Sequence, residues 1–182
     1  MQVNKRLALG AAAIAAVGLA AAPSFAASHN SGSNTTACAD GTVTWTPNVL
    51  WAPNHKMQTI DIYYTAPADN PAVAGDQTTI TVGAIKDDQA ASDGSGELQG
   101  SGQPTDKQGL DWAGTGNTAT SDEGSTAHTT AQVRAERSGT DQSGRTYSIQ
   151  VMCSESNNGV PMAQDSGMAT LTVTVPHDQG NN

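Results

Sequence analysis

Short runs of alternating apolar and polar residues recur along the chain beyond its first forty residues. This period of two predicts six β-strands, at residues 42–46, 57–65, 77–85, 130–137, 145–153 and 168–175. Each run has one apolar and one polar side, which is typical of antiparallel sheets that keep one face in water. No amphipathic helical pattern follows the first 26 residues. The chain is therefore expected to be all-β.

The same alternation predicts which side chains face the core. It places Val82 and Ala84 on the inner side of their strand. It places Arg134 and Glu136 on the outer side of theirs, where exposed ion pairs contribute at most about 1 kcal/mol each. Six strands, with one or two short ones in the gap at 86–128, predict an immunoglobulin-like antiparallel β-sandwich of about seven strands.

The N-terminus has the pattern of a secretory signal peptide. Lys5 and Arg6 precede an apolar run at 7–22, and small residues lead up to Ala26. The alternative is a permanent N-terminal anchor. The apolar run is, however, shorter than the roughly 20 residues of a membrane span. We expect a signal peptide at 1–26, followed by a secreted chain without a membrane span.

The rest of the chain divides simply. A flexible N-terminal tail is expected at 27–41, the sandwich at 42–177 and a short C-terminal tail at 178–182. Cleavage removes two of the eight basic residues and none of the 17 acidic ones, so the formal charge falls from -9 to -11. Such a charge argues against nucleic acid and anionic lipid as partners. An extracellular protein or a cell-wall polysaccharide fits better.

The two cysteines are expected to form one disulfide. Cys153 lies on the apolar side of its strand with Ile149 and Val151, and Cys38 lies just before the first predicted strand. Paired cysteines are usual in exported chains, and two separate buried thiols are the alternative. Closing a loop of this length stabilises a fold by about 4 to 5 kcal/mol in chain-entropy models.

Five short motifs follow one another in order: LWAPNHKM at 50–57, GLDW at 109–112, VRAERSG at 133–139, GRTYSI at 144–149 and VTVPHDQ at 173–179. They resemble a recurrent bacterial extracellular module related to immunoglobulin-like and hyalin-repeat domains. The resemblance implies a β-sandwich with no assigned catalytic activity. The chain departs from the module's usual proline pair, and it lacks the usual aspartate where the strand at 145–153 ends.

The stretch 86–128 is unusually acidic and rich in glycine. Its 43 residues include eight glycines, eight acidic residues and two lysines. Loops this long are usually functional or disordered, and calcium takes six to eight oxygen ligands of the kind such loops supply. The weak calcium candidates are Asp87, Asp88, Asp93 and Glu97, although no EF-hand spacing is present. The alternative is a solvated acidic loop that binds nothing.

Trp112 is the weak candidate for carbohydrate binding, because it lies in this polar stretch and is expected to be exposed. The histidines have no zinc-ligand spacing, and no nucleophile elbow occurs, so no enzyme activity is expected. The sequence predicts a non-catalytic secreted or wall-associated interaction module without an organic cofactor. The alternatives are a calcium-stabilised adhesive module and a carbohydrate-binding accessory module.

Overall fold

The computed structural model describes residues 31–51, 53–68, 75–88, 111–136, 143–158 and 160–177. Nine strands lie in these ranges: β1 (Asn34–Cys38), β2 (Gly41–Thr46), β3 (Met57–Thr65), β4 (Gln77–Asp87), β5 (Trp112–Ala113), β6 (Thr118–Asp122), β7 (Thr126–Arg134), β8 (Arg145–Asn157) and β9 (Val160–Val175). Among the described residues, no helix is long and apolar enough to cross a membrane.

The strands form two antiparallel sheets that pack face to face. One sheet has the order β1-β2-β3-β7-β5 and the other has the order β6-β4-β8-β9. Within them, β2-β3-β7-β5 and β4-β8-β9 follow the A-B-E-D and C-F-G orders of an immunoglobulin-like sandwich. The predicted β-sandwich is therefore confirmed, but the described ranges hold nine strands where about seven were expected.

The three strands beyond the six clearly alternating runs lie where the sequence pattern is weakest, and one or two of them were expected in the stretch 86–128. Residues 34–38, expected in a flexible tail, form β1 and pair with β2 from Asn34↔Trp45 to Cys38↔Gly41. The two short strands β5 and β6 lie in the stretch 86–128. These three strands are short or weakly alternating, so sheet pairing decides their conformation more than local sequence does.

The core fills the space between the two sheets with the inward side chains of alternating positions. Trp45 is buried in it and donates from Nε1 to the carbonyl of Thr172 at 2.9 Å, which joins β2 to β9. The core residues that are completely buried include Val43, Leu50, Ile60, Ile62, Tyr64, Ile80, Val82, Ala131, Val133, Tyr147, Ile149, Val151, Leu171, Val173 and Val175. Valine and isoleucine make up most of this set.

A β-bulge in β4 changes which of its side chains face the core. The pairing with β8 shifts between Val82 and Ile85, so the residues after the bulge exchange sides. Ala84 is exposed and Ile85 is buried, which makes the predicted inward position of Ala84 wrong. The shift also directs Asp87 inward, with a fully buried side chain.

The predicted disulfide between Cys38 and Cys153 is present and joins the two sheets. Cys38 ends β1 in the first sheet, and Cys153 lies in β8 of the second. Beside it, the turn after β1 comes so close to β9 that a Cβ on Gly167 would overlap the backbone nitrogen of Ala39. The disulfide and this close contact together fix the β1–β2 hairpin against the second sheet.

Candidate functional site

Of the four calcium candidates, only Asp87 and Asp88 lie among the described residues, and these two do not share a site. Asp87 is the last residue of β4 and has a buried side chain, whereas Asp88 lies just after the strand. Asp88 is exposed, and its Oδ1 accepts a hydrogen bond from the amide of Thr146 at 2.8 Å. Asp93 and Glu97 lie outside the described residues. No group of three or more metal-ligating side chains occurs in the described ranges, and the calcium site stays a prediction.

Trp112 is buried, with 4% of its surface exposed, so the expected exposure is wrong. Its strand β5 pairs with β7 at Trp112↔Val133, which turns the indole toward the core. The polar sequence around Trp112 suggested a solvent-facing loop, but a two-residue strand is too short to show an alternating pattern. A sugar therefore has no open face of this ring on which to stack.

A buried ionic cluster lies next to Trp112. Its centre is Arg145, the first residue of β8, whose side chain is completely buried. Arg145 Nη1 lies 3.5 Å from Asp111 Oδ1 and 3.7 Å from Asp87 Oδ2. Alternation explains the position, because Arg145 is on the same side of β8 as Tyr147 and the core residues that follow.

A second arginine completes the cluster from the end of β7. Arg134 Nε lies 3.3 Å from Asp111 Oδ1 and 3.5 Å from Glu136 Oε2. The side chains of Arg134 and Glu136 are nearly fully buried, so their predicted solvent exposure is wrong. The cause is the turn at 53–56, which crosses this end of β7 and accepts a hydrogen bond from Arg134 Nη1 at the carbonyl of His55, at 3.0 Å.

Tyr147 connects the two arginines. Its hydroxyl donates to the backbone carbonyl of Arg134 at 2.9 Å and accepts a hydrogen bond from Arg145 Nη1, also at 2.9 Å. Burial raises the pKa of Tyr147, although Arg145 opposes this change. A tyrosine at the start of the F strand that bonds to an upstream carbonyl also occurs in the tyrosine corner of immunoglobulin-like domains. The phenol therefore stays protonated and serves as a fixed link.

The cluster holds both ends of the segment 89–110. Before the segment, Asp87 contacts Arg145, and the amide of Asp88 donates to the carbonyl of Thr146 at 3.1 Å. After the segment, Asp111 contacts Arg145 through its side chain, and its carbonyl accepts a hydrogen bond from the amide of Arg134 at 2.8 Å. The sandwich thus fixes where these 22 residues leave and return.

The chemistry of the cluster suits positioning. It contains two guanidinium groups, three carboxylates and one phenol, and the carboxylates lie against the guanidinium groups. Burial acts to lower the pKa of Arg145, but Tyr147, Asp87 and Asp111 together raise it above its ordinary value. A guanidinium that keeps its charge is a poor proton donor or acceptor. The group is suited to holding backbone segments in place.

The opposite end of the sandwich carries a buried acidic group. Glu155 of β8 is 6% exposed. Burial, then the negative charges of Asp40 and Glu123, a hydrogen bond with Asp40 and the charge of Asp165, raise the pKa of Glu155 to about 7. Asp40 also accepts a hydrogen bond from the hydroxyl of Tyr64 at 3.4 Å. Sequence alternation could have shown Glu155 facing inward, because it shares a side of β8 with Cys153.

An aromatic pair stands on the outer face of the first sheet. Tyr63 of β3 and His128 of β7 are directly paired across the strands, with ring centroids 4.6 Å apart and planes inclined by 13°. His128 Nε2 lies 2.9 Å from Asp61 Oδ1. No local sequence pattern predicted this pair, since its members are 65 residues apart and meet through strand pairing.

Comparison of the chain with protein-family models, with curated proteins and with solved structures found no match.

Proposed function

We propose that this chain is a non-catalytic, secreted or wall-associated interaction module of the bacterial immunoglobulin-like and hyalin-repeat kind that its motifs resemble. Recognition would use residues 89–110 and the loops at the same end of the sandwich. The observation that carries the proposal is the contact of one arginine, Arg145, with aspartates on both sides of this segment. Export is supported by the disulfide, because disulfides persist in oxidising compartments.

The energetic cost of the cluster favours a positioning role. Buried ion pairs gain little stability over apolar residues of the same volume, because taking charges out of water is expensive. A purely apolar core would therefore serve the sandwich as well at this point. A set of directional contacts, in contrast, defines the exit and entry of a long segment. This supports a segment that is presented to a partner.

The composition of the segment indicates the kind of partner. Residues 89–110 include Asp93, Glu97 and Asp106 with Lys107 as the single basic residue, and they are rich in glycine, serine and glutamine. Acidic and amide oxygens suit cations, basic protein surfaces and the hydroxyl groups of polysaccharides. The proposed partner is therefore a cell-wall polymer or an extracellular protein, with calcium as a ligand that could connect them.

Retention on insoluble cell walls tests the proposal. The purified protein is incubated with wall material in calcium and again with a chelator. It is compared with a variant in which residues 89–110 are replaced by a glycine-serine linker of equal length. We expect the wild type to be retained and the linker variant to be released, with circular dichroism showing that both are folded. Equal retention of the two proteins would contradict the proposal.

A chelator separates the calcium alternative from the others. Loss of wild-type retention in chelator would support a calcium-stabilised adhesive module and direct attention to Asp88, Asp93 and Glu97, since the side chain of Asp87 is buried against Arg145. Retention that ignores the chelator would support direct contact with the polymer.

A further inference from the structure

The outer face of the first sheet presents a regular array of hydroxyl groups around one aromatic pair. The outward positions of β1 and β2, of β3 from Thr59 and of β7 up to Gln132 are Thr35, Ala37, Thr42, Thr44, Thr46, Thr59, Asp61, Tyr63, Thr65, Thr126, His128, Thr130 and Gln132. The next such position of β7, Arg134, is buried under the turn at 53–56. Eight of these thirteen residues are threonine, and none is lysine or arginine. The face is therefore polar and carries one carboxylate next to one imidazole.

Strand pairing places these side chains in rows across the sheet. One row runs from Thr35 through Thr44 and Tyr63 to His128. The neighbouring row on one side contains Thr65 and Thr126, whose hydroxyl oxygens lie 2.7 Å apart. Tyr63 thus has hydroxyl groups beside it along the strands and across them.

The aromatic pair is accessible and held in position. The side chain of His128 is 46% exposed and that of Asp61 is 39% exposed, while Tyr63 is half-buried. Stacking between Tyr63 and His128 and the 2.9 Å contact between His128 and Asp61 restrict all three side chains. Side chains that are ordered before binding lose less entropy on binding.

We propose that this face binds a neutral polysaccharide chain. The exposed parts of Tyr63 and His128 would supply apolar contact area for the C–H surface of a sugar ring, because aromatic side chains combine a large apolar body with one polar group. Asp61 accepts hydrogen bonds, and threonine hydroxyls both donate and accept them, which matches the hydroxyl groups of a sugar.

Charge and polarity exclude the other classes of polymer. Anionic polymers and nucleic acids need lysine or arginine, and the outward positions of this face have neither, in a chain with a formal charge of -9. A stable protein interface needs an apolar centre, and threonine hydroxyls surround Tyr63 here. A neutral, hydroxyl-rich chain is the partner that fits.

This proposal concerns a surface different from the end that carries residues 89–110, and each can fail alone. Binding is measured by retention on insoluble cellulose, chitin and a mixed-linkage β-glucan, with polygalacturonate as an anionic contrast. The test variant is Tyr63→Thr, which keeps β-propensity and matches the neighbouring Thr44. Tyr63→Phe keeps the ring, and Met152→Ala, on the outer face of the second sheet, is the matched surface control.

We expect at least one neutral polysaccharide to retain the wild type, with Tyr63→Thr weakening retention by about tenfold. Tyr63→Phe and Met152→Ala should remain within about threefold of the wild type. The proposal is overturned if Tyr63→Thr, folded by circular dichroism, binds as the wild type does, or if no neutral polysaccharide retains the wild type. If the 89–110 linker variant loses wall binding while Tyr63→Thr keeps it, the proposed function stands and this surface is rejected.

Discussion

Arg145 and Asp111 form a buried ion pair, Nη1 to Oδ1 at 3.5 Å, at the point where the chain returns from residues 89–110. Both side chains are almost completely removed from solvent. Arg145 begins β8 of the second sheet, and Asp111 directly precedes β5 of the first sheet, so the ion pair links the two sheets. We therefore expect the loss of this ion pair to lower the stability of the whole domain.

Replacing Arg145 with alanine should destabilise the protein by about 3 to 5 kcal/mol, because it removes the guanidinium group that contacts the buried carboxylates of Asp87 and Asp111. Arg134 still contacts Asp111 in this variant. Urea unfolding at neutral pH measures this. Lys86→Ala is the control, since Lys86 is exposed at the end of β4 and should change stability by less than about 0.5 kcal/mol. A loss below about 1 kcal/mol for Arg145→Ala would show that the cluster is not a structural anchor.

The stability of the protein should depend on the protonation of Glu155. Its pKa is about 7 in the folded state against an ordinary value of 4.5, so the folded state keeps a proton that the unfolded state loses. The free energy of unfolding therefore falls as pH rises from about 4.5 to about 7, and it stays at the lower value at higher pH. The groups around Glu155 are Asp40, Glu123, Asp165 and Tyr64, and none of them supplies a compensating positive charge.

Glu155→Gln removes this loss of stability, because glutamine has no carboxyl group to ionise. We expect it to raise the melting temperature at pH 8 and to change it little at pH 4. Asp122→Asn, at an exposed carboxylate of β6, serves as the control. If Glu155→Gln shifts the melting temperature equally at both pH values, the account of Glu155 is wrong.

Reduction of the disulfide should destabilise the protein strongly. Cys38 and Cys153 are 115 residues apart in sequence, and chain-entropy models assign about 4 to 5 kcal/mol to a loop of that length. The double variant Cys38→Ala/Cys153→Ala should show a correspondingly lower urea midpoint than the oxidised wild type. Addition of a reducing agent should lower the midpoint of the wild type and leave that of the variant unchanged. An unchanged wild-type midpoint would contradict this role.

Gly167→Ala should destabilise the protein by about 1 to 3 kcal/mol, because the added methyl group would overlap the backbone of Ala39. Gly83→Ala is the matched control, since the nearest atom to its added Cβ lies at an ordinary contact distance of 3.4 Å. Thermal unfolding of both variants makes the comparison. Equal melting temperatures would mean that the hairpin after β1 can move away from β9 without cost.

Local alternation was sufficient to predict the sandwich, because most strands have one apolar side that must be buried. β3 begins and ends where the pattern predicted, and the inward position of Cys153 led to the correct disulfide. The pattern failed at Ala84 because a bulge, which depends on pairing with β8, exchanged the two sides of β4. The alternation also places Arg145 on the inner side of β8. Its burial was not predicted, because charged side chains are rarely buried.

The positions of Arg134 and Glu136 could not be read from their own strand. They are buried because the turn at 53–56, almost 80 residues earlier, crosses the end of β7. The Tyr63–His128 pair has the same origin in long-range pairing. Contacts between distant segments therefore create both the buried cluster and the Tyr63–His128 pair, and no local sequence pattern indicates either of them.

In the proposed function, the end of the sandwich that carries residues 89–110 contacts the partner. Amide hydrogen exchange of the protein, free and bound to solubilised cell-wall material, tests this most directly. We expect binding to slow exchange in peptides that cover 89–110 and their flanks at 86–88 and 111–113. Binding that leaves exchange in these peptides unchanged, with protection elsewhere on the sandwich, would contradict it.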